Sequence, residues 1–389
     1  MTSTPCTRTA ALPLDAADEA ADSVERTGFD IGWDHARHGL VPPAELLLEG
    51  TPPGQGWRAG RAVFGGRTLA APRPVRQWLA LRLQAWRRGI AFEGQQLTPH
   101  YLAQIEADRC PVLRTPLGGR AGTPDAAVVE RLNEQAAYAA GNLATLSQRA
   151  AQARSGVDAV EALRRARRLE ARAAAAPGAA VVDGLDAGAW FRLAALQSYA
   201  TPLPFHAAAQ MPLALLPPNR VRLLNAAQGL QALLTLQFTR PGWAARTRAI
   251  GAWLPEHTLR HDYQLFIGAL APRLLEANAQ GLPPAQVLED AWLHERVQRR
   301  WQHFVLSLGE VATAALLDRL AAQGLDGVRL LSHGTEQATE GWALADRGQV
   351  PRSARLSAAA RPRPRWPAAP RPAARAGTDR PPRCPAPQG

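Results

Sequence analysis

The sequence predicts a mainly α protein, built of helices around one small β-containing insert, with disordered ends. Three observations lead there. Apolar residues make up 46% of the 389 residues, and through much of the chain they recur at the spacing of one helix face. Between residues 108 and 147 the texture changes to short β-compatible runs punctuated by Pro and Gly. Both ends are too poor in large apolar side chains to bury the surface that ordering needs.

Residues 1–27 are small and polar with an acidic middle and are expected to be disordered, with order beginning at Phe29-Asp30-Ile31-Gly32-Trp33. The glycines and prolines from Gly50 to Pro74 suggest loops or short strands, for example at Ala62-Val63-Phe64. Val75 to Arg88 is an amphipathic helix with Val75, Trp78, Leu79 and Trp86 on one face, stopped by Gly89. Thr98-Pro99, a cap followed by Pro at the first helical position, opens a short helix to about Ala107 and completes a helical N-terminal region, 28–107.

The insert spans 108–154, with β-compatible runs at Pro111-Val112-Leu113, Val128-Val129 and Leu143-Ala144-Thr145-Leu146. Ala/Arg-rich helical text covers 148–176, so that 155–182 reads as a basic helix and linker. A helical bundle follows over 183–349, with segments at 187–199, 220–238, 243–253, 257–277, 284–307 and 310–323. Pro-containing breaks separate several of these segments. Residues 350–389 form a Pro/Ala/Arg-rich tail whose composition predicts disorder.

Composition narrows the function classes. No run approaches the ~20 apolar residues of a membrane span, and the N-terminus lacks the basic-then-apolar order of a secretory signal. The expectation is a cytoplasmic protein with no membrane association. Cys6, Cys110 and Cys384 are isolated, which fits neither a disulfide framework nor a zinc knuckle. The net charge is +12, yet all 45 basic residues are Arg, in a chain rich in Ala, Gly and Pro. That bias is the mark of GC-rich coding, and the tail alone carries nine Arg against one acid, Asp379. The body of the chain is only mildly basic.

One stretch carries candidate chemistry. It begins Cys110-Pro111-Val112-Leu113-Arg114-Thr115-Pro116-Leu117 and continues Val128-Val129-Glu130-Arg131-Leu132-Asn133. Tyr138-Ala139-Ala140-Gly141-Asn142-Leu143 follows, then Ser147-Gln148-Arg149-Ala150 and Arg154. In order and approximate spacing these pieces resemble the HNH endonucleases that read CPVLG-x-PL, SLDRID, GY-x-x-GNV and S-x-RAN-x-x-K. The resemblance covers about 45 of 389 residues.

It implies a small ββα module in which a β-hairpin and a helix present a divalent metal, Mg²⁺ or another ion, to a phosphodiester. Carried over by position, Glu130 would be a metal ligand and catalytic carboxylate, and Asn142 a second ligand. Arg131 would clamp the phosphate. Several positions depart from the pattern. No histidine lies between His100 and His206, Val128 and Val129 replace the Ser and Leu of SLDR, and Asn133 replaces the second Asp. Ala137 stands for the Gly before the motif Tyr, Ala151 for the Asn of RAN and Arg154 for the final Lys. The favoured reading is a DNA- or RNA-binding protein with a degenerate nuclease module and weak or no cleavage.

Arg149 and Arg154 in the motif, and Arg164, Arg165, Arg167 and Arg168 just after it, are the candidate phosphate contacts. Glu161 and Glu170 stand at helical spacings from some of these, so a self-paired solvated face competes with that assignment. His257 and His261 are spaced i, i+4 but lack the Glu that a metalloprotease places after its first His. The competing function is a non-catalytic helical scaffold that binds another protein through 183–349.

Overall fold

The computed structural model describes residues 14–175, 180–278, 281, 283–323, 331–332 and 338–350. The expected tail, beyond Val350, lies outside the described residues, as do Cys6 and Cys384. The N-terminal region holds helices α1 (Leu14–Arg37), α2 (Pro52–Phe64), α3 (Arg73–Arg88) and α4 (Pro99–Gln104). An antiparallel hairpin follows, β1 (Ala127–Arg131) and β2 (Leu143–Ser147), then α5 (Gln148–Ala153) and α6 (Ala159–Ala175). The bundle comprises α7 (Ala187–Tyr199), α8 (Phe205–Gln210), α9 (Ala226–Gln237), α10 (Trp243–Ala252), α11 (His257–Asn278), α12 (Pro284–Ala291), α13 (Glu295–Leu308) and α14 (Glu310–Ala322). Arg222–Leu223, before α9, pairs in parallel with Leu331–Ser332, beyond α14. The protein is therefore mainly α-helical with a small hairpin. Among the described residues no helix is long and apolar enough to cross a membrane.

Two N-terminal expectations are corrected. Helix α1 covers Leu14–Arg37, so helical structure already runs through the acidic segment before Phe29, while residues 1–13 lie outside the described residues. Residues 50–74 hold no strand: Ala62, Val63 and Phe64 end a helix, α2. The Thr51 side chain accepts from the Gly54 amide at 3.2 Å, and Pro52 occupies the first helical position. The glycines that resembled loop punctuation are instead packing residues. A Cβ on Gly56 would lie 1.9 Å from the Phe29 carbonyl oxygen, and one on Gly32 would lie 1.9 Å from that of Pro53. Only glycine lets the α1 and α2 backbones approach so closely.

The helical text at 148–176 is cut by a turn at Arg154–Asp158, where Gly156 takes φ 70°. The segment 284–307 is likewise cut at Trp292-Leu293-His294. There Trp292 meets Trp301 edge to face at 5.5 Å between centroids, and its indole N–H donates to Thr235 Oγ1 at 2.9 Å.

The hairpin is embedded in the molecule. Every residue of β2 is buried. One apolar core runs without interruption from Cys110 and Val112 through Leu146 and α6 to Trp292 and Trp342 of the bundle. A second joins α3 and α4 to Val129, Tyr138 and Leu143. Ion pairs reinforce the first: Arg114, in the left-handed region at φ 58°, reaches Glu289 at 2.9 Å and Asp290 at 2.7 Å. Residues 342–350 return to the hairpin loop and to the end of α3. The Ala137 amide donates to the Trp342 carbonyl at 2.7 Å, and the Val350 amide to that of Gly89 at 2.9 Å.

Candidate nucleic-acid interface

The expected catalytic residues sit where β1 leaves the hairpin and where its connecting loop, residues 132–142, returns. Glu130 pairs in register with Ala144, and Arg131 with Leu143. The loop is closed by Asn142, which is fully buried. Its Oδ1 accepts from the Asn133 amide at 2.8 Å, while Nδ2 donates to the carbonyls of Asn133 at 3.1 Å and Ala137 at 3.0 Å. Asn133 in turn donates to the Ala200 carbonyl at 3.1 Å, tying the loop to the end of α7.

Arg131 points into the same loop. Nη1 donates to the carbonyls of Glu134 at 2.9 Å and Ala136 at 2.6 Å, and the guanidinium lies 5.1 Å from the Tyr138 ring centroid. Burial pushes the Arg131 pKa down, partly offset by Tyr138, Glu134 and Glu130. Glu130 is not free either: Arg154, itself buried, lies 3.4 Å from its carboxylate and 3.3 Å from that of Glu134. Arg131 and Arg154 thus close the loop onto β1 and α5, and neither guanidinium stands on the surface.

The expectation of a divalent metal between Glu130 and Asn142 is overturned. Among the described residues no group of three or more His, Cys, Asp or Glu is gathered as a metal site. The physical reason is local. Both ends of the Asn142 amide are consumed by the loop backbone, and the Glu130 carboxylate is aimed at Arg154. His257 and His261 are exposed on α11.

The other expected basic residues separate into two sets. Arg149, on α5, is 3.5 Å from Asp125. Arg164 pairs with Glu161 at 2.5 Å. Arg165 pairs with Glu161 at 3.4 Å and Asp183 at 2.7 Å, with its guanidinium 4.9 Å from the Trp190 ring. Arg167 and Arg168 are exposed and, among the described residues, have no carboxylate within ion-pair distance. Sequence reasoning missed Arg172, one turn beyond Arg168, which is also exposed and has no carboxylate within ion-pair distance among the described residues. The opposite face of α6, Ala159, Ala162, Leu163, Ala166 and Leu169, is buried, so packing fixes which arginines face water. Arg164, Arg168 and Arg172 follow each other at i, i+4 and i+8, with Arg167 alongside. Comparison with protein families, with curated proteins and with solved structures finds no match for this chain.

Proposed function

We propose that this chain binds nucleic acid through phosphate contacts made by α6, without cleaving it. The observation that supports the reading is the exposed arginine row Arg164, Arg167, Arg168 and Arg172, three of whose members have no acidic partner among the described residues. Guanidinium groups held on one rigid face can each neutralise a backbone phosphate and release its counterion. Residues 127–153 run strand, loop, strand and short helix, an order that the HNH resemblance would also require. In this reading the segment acts as a support, because Asn142 and Arg131 are bonded to the loop backbone and Glu130 is paired with Arg154.

The test is fluorescence anisotropy with a labelled random-sequence DNA duplex, using the full chain, a chain lacking 351–389, and the triple variant R167A/R168A/R172A. The expected result is that the tail-deleted protein retains binding and the triple variant loses at least tenfold in affinity. Binding that disappears with the tail and ignores the α6 changes would reject the reading. A protein partner at the bundle is the second reading, favoured by Val311 and Leu306, which are 85% and 45% exposed near the α13–α14 junction.

A further inference from the structure

The N-terminal helices enclose a cleft of about 840 Å³ that the α6 surface does not share. Its walls come from α1, α3, the segment after α3 and Val350 of the returning chain. Three aromatic side chains line it, Trp78, Trp86 and Phe92, together with Arg82, Arg87 and Arg88. The indoles are fixed: Trp78 Nε1 donates to the Leu97 carbonyl at 2.8 Å and Trp86 Nε1 to the Val24 carbonyl at 3.0 Å.

The three arginines are not equivalent. Arg82 pairs with Asp34 at 2.5 Å and lies over Trp78 at 4.4 Å from the ring centroid, and Arg87 pairs with Glu45. Arg88 is exposed and has no carboxylate within ion-pair distance among the described residues. Arg82 occupies one oxygen of Asp34, and no described group bonds the other, Oδ1. The cleft therefore combines rigid aromatic walls, one uncommitted guanidinium and one available carboxylate acceptor. Its volume falls in the range of small-molecule sites, roughly 300–1,000 Å³.

We propose that this cleft binds a nucleoside monophosphate unit. The base stacks on the aromatic wall, as any base can on an indole or phenyl face. The phosphate pairs with Arg88, and a donor on the base or ribose bonds Asp34. The same unit could be presented free or within a single strand, and both sources offer this chemistry. The site stands independently of the α6 reading.

The test is isothermal titration calorimetry on the full-length chain with adenosine 5′-monophosphate, adenosine, inorganic phosphate and a short single-stranded oligonucleotide. The nucleotide should bind saturably at one per chain, with adenosine and phosphate each at least tenfold weaker. Arg88→Ala should weaken nucleotide binding at least tenfold and Arg88→Lys less, with melting temperatures unchanged because Arg88 is exposed. R167A/R168A/R172A should leave nucleotide affinity unchanged, which separates this site from α6. Oligonucleotide binding that also falls in Arg88→Ala assigns the unit to a strand, and nucleotide binding alone assigns it to a free ligand. Absence of nucleotide binding, or binding that Arg88→Ala leaves unchanged, overturns the proposal.

Discussion

Asn142 and Asn133 hold each other through two hydrogen bonds of opposite sense. Asn142 Oδ1 accepts from the Asn133 amide at 2.8 Å, and its Nδ2 donates to the Asn133 carbonyl at 3.1 Å. A side-chain amide supplies both an acceptor and donors here, whereas an ionised carboxylate can only accept. Asn142→Asp would set a buried carboxylate oxygen against the carbonyls of Asn133 and Ala137. The expected cost is on the order of 3 kcal/mol, the scale of a buried group left unsatisfied beside like partial charges. Urea unfolding of both proteins measures it. A loss below about 1 kcal/mol would mean the amide does not close the loop.

That pair also marks how far the sequence could be read. Local signals were legible. Val128-Val129 and Leu143–Leu146 fall in the two strands, and helices were expected at 187–199, 243–253 and 310–323, where α7, α10 and α14 lie within a residue or so. Signals that depend on a distant partner were not. The glycines of α2 resemble those of a loop until α1 is seen against them. Glu130, Arg131 and Asn142 are the residues the resemblance would place in a phosphodiester site, but which atoms meet was decided by Glu134, Ala136 and Arg154 closing the loop between the strands. The aromatic cleft draws on residues as far apart as Val24 and Val350, so no local window contains it.

Gly56 supports a prediction about the N-terminal helices. A methyl group there would sit 1.9 Å from the Phe29 carbonyl oxygen, which is backbone and cannot rotate away. Gly56→Ala should force α1 and α2 apart at a cost of roughly 3 kcal/mol or more, at or beyond the usual scale of overpacking. Gly66→Ala, where nothing lies within 4 Å of the added methyl, is the control. Thermal melting should show a clear drop for the first and little change for the second. Equal melting temperatures would remove the close approach as a reason for glycine.

Glu289 gives stability a pH dependence of definite sign. Burial raises its pKa, and the Leu216 amide and Arg114 oppose that only in part. The folded chain therefore holds this proton more readily than the unfolded chain. The resulting stabilisation is fully present below the ordinary carboxyl pKa and is lost as pH rises through the raised folded value. The stability of the wild type relative to Glu289→Gln should fall as pH rises above the ordinary carboxyl range. A difference that stays flat over that rise, measured by urea unfolding, would show that the ion pair with Arg114 cancels burial.

The arginine row on α6 makes a quantitative prediction through its salt dependence. Each phosphate neutralised on duplex DNA contributes about −0.9 to the slope of log K against log salt. Among the described residues Arg167, Arg168 and Arg172 are exposed without acidic partners, so each is available to make one such contact. Replacing all three with Ala should reduce the magnitude of the slope by about 3. The paired residue supplies an internal comparison. Arg165, held by Glu161 and Asp183 and stacked on Trp190, should change the slope little when replaced by Ala. Chelation of divalent ions should leave the affinity unchanged, since none of the contacts runs through a metal. A slope that responds to Arg165→Ala and not to the triple change would move the phosphate path off the exposed face of α6, toward the Arg149–Asp183 side.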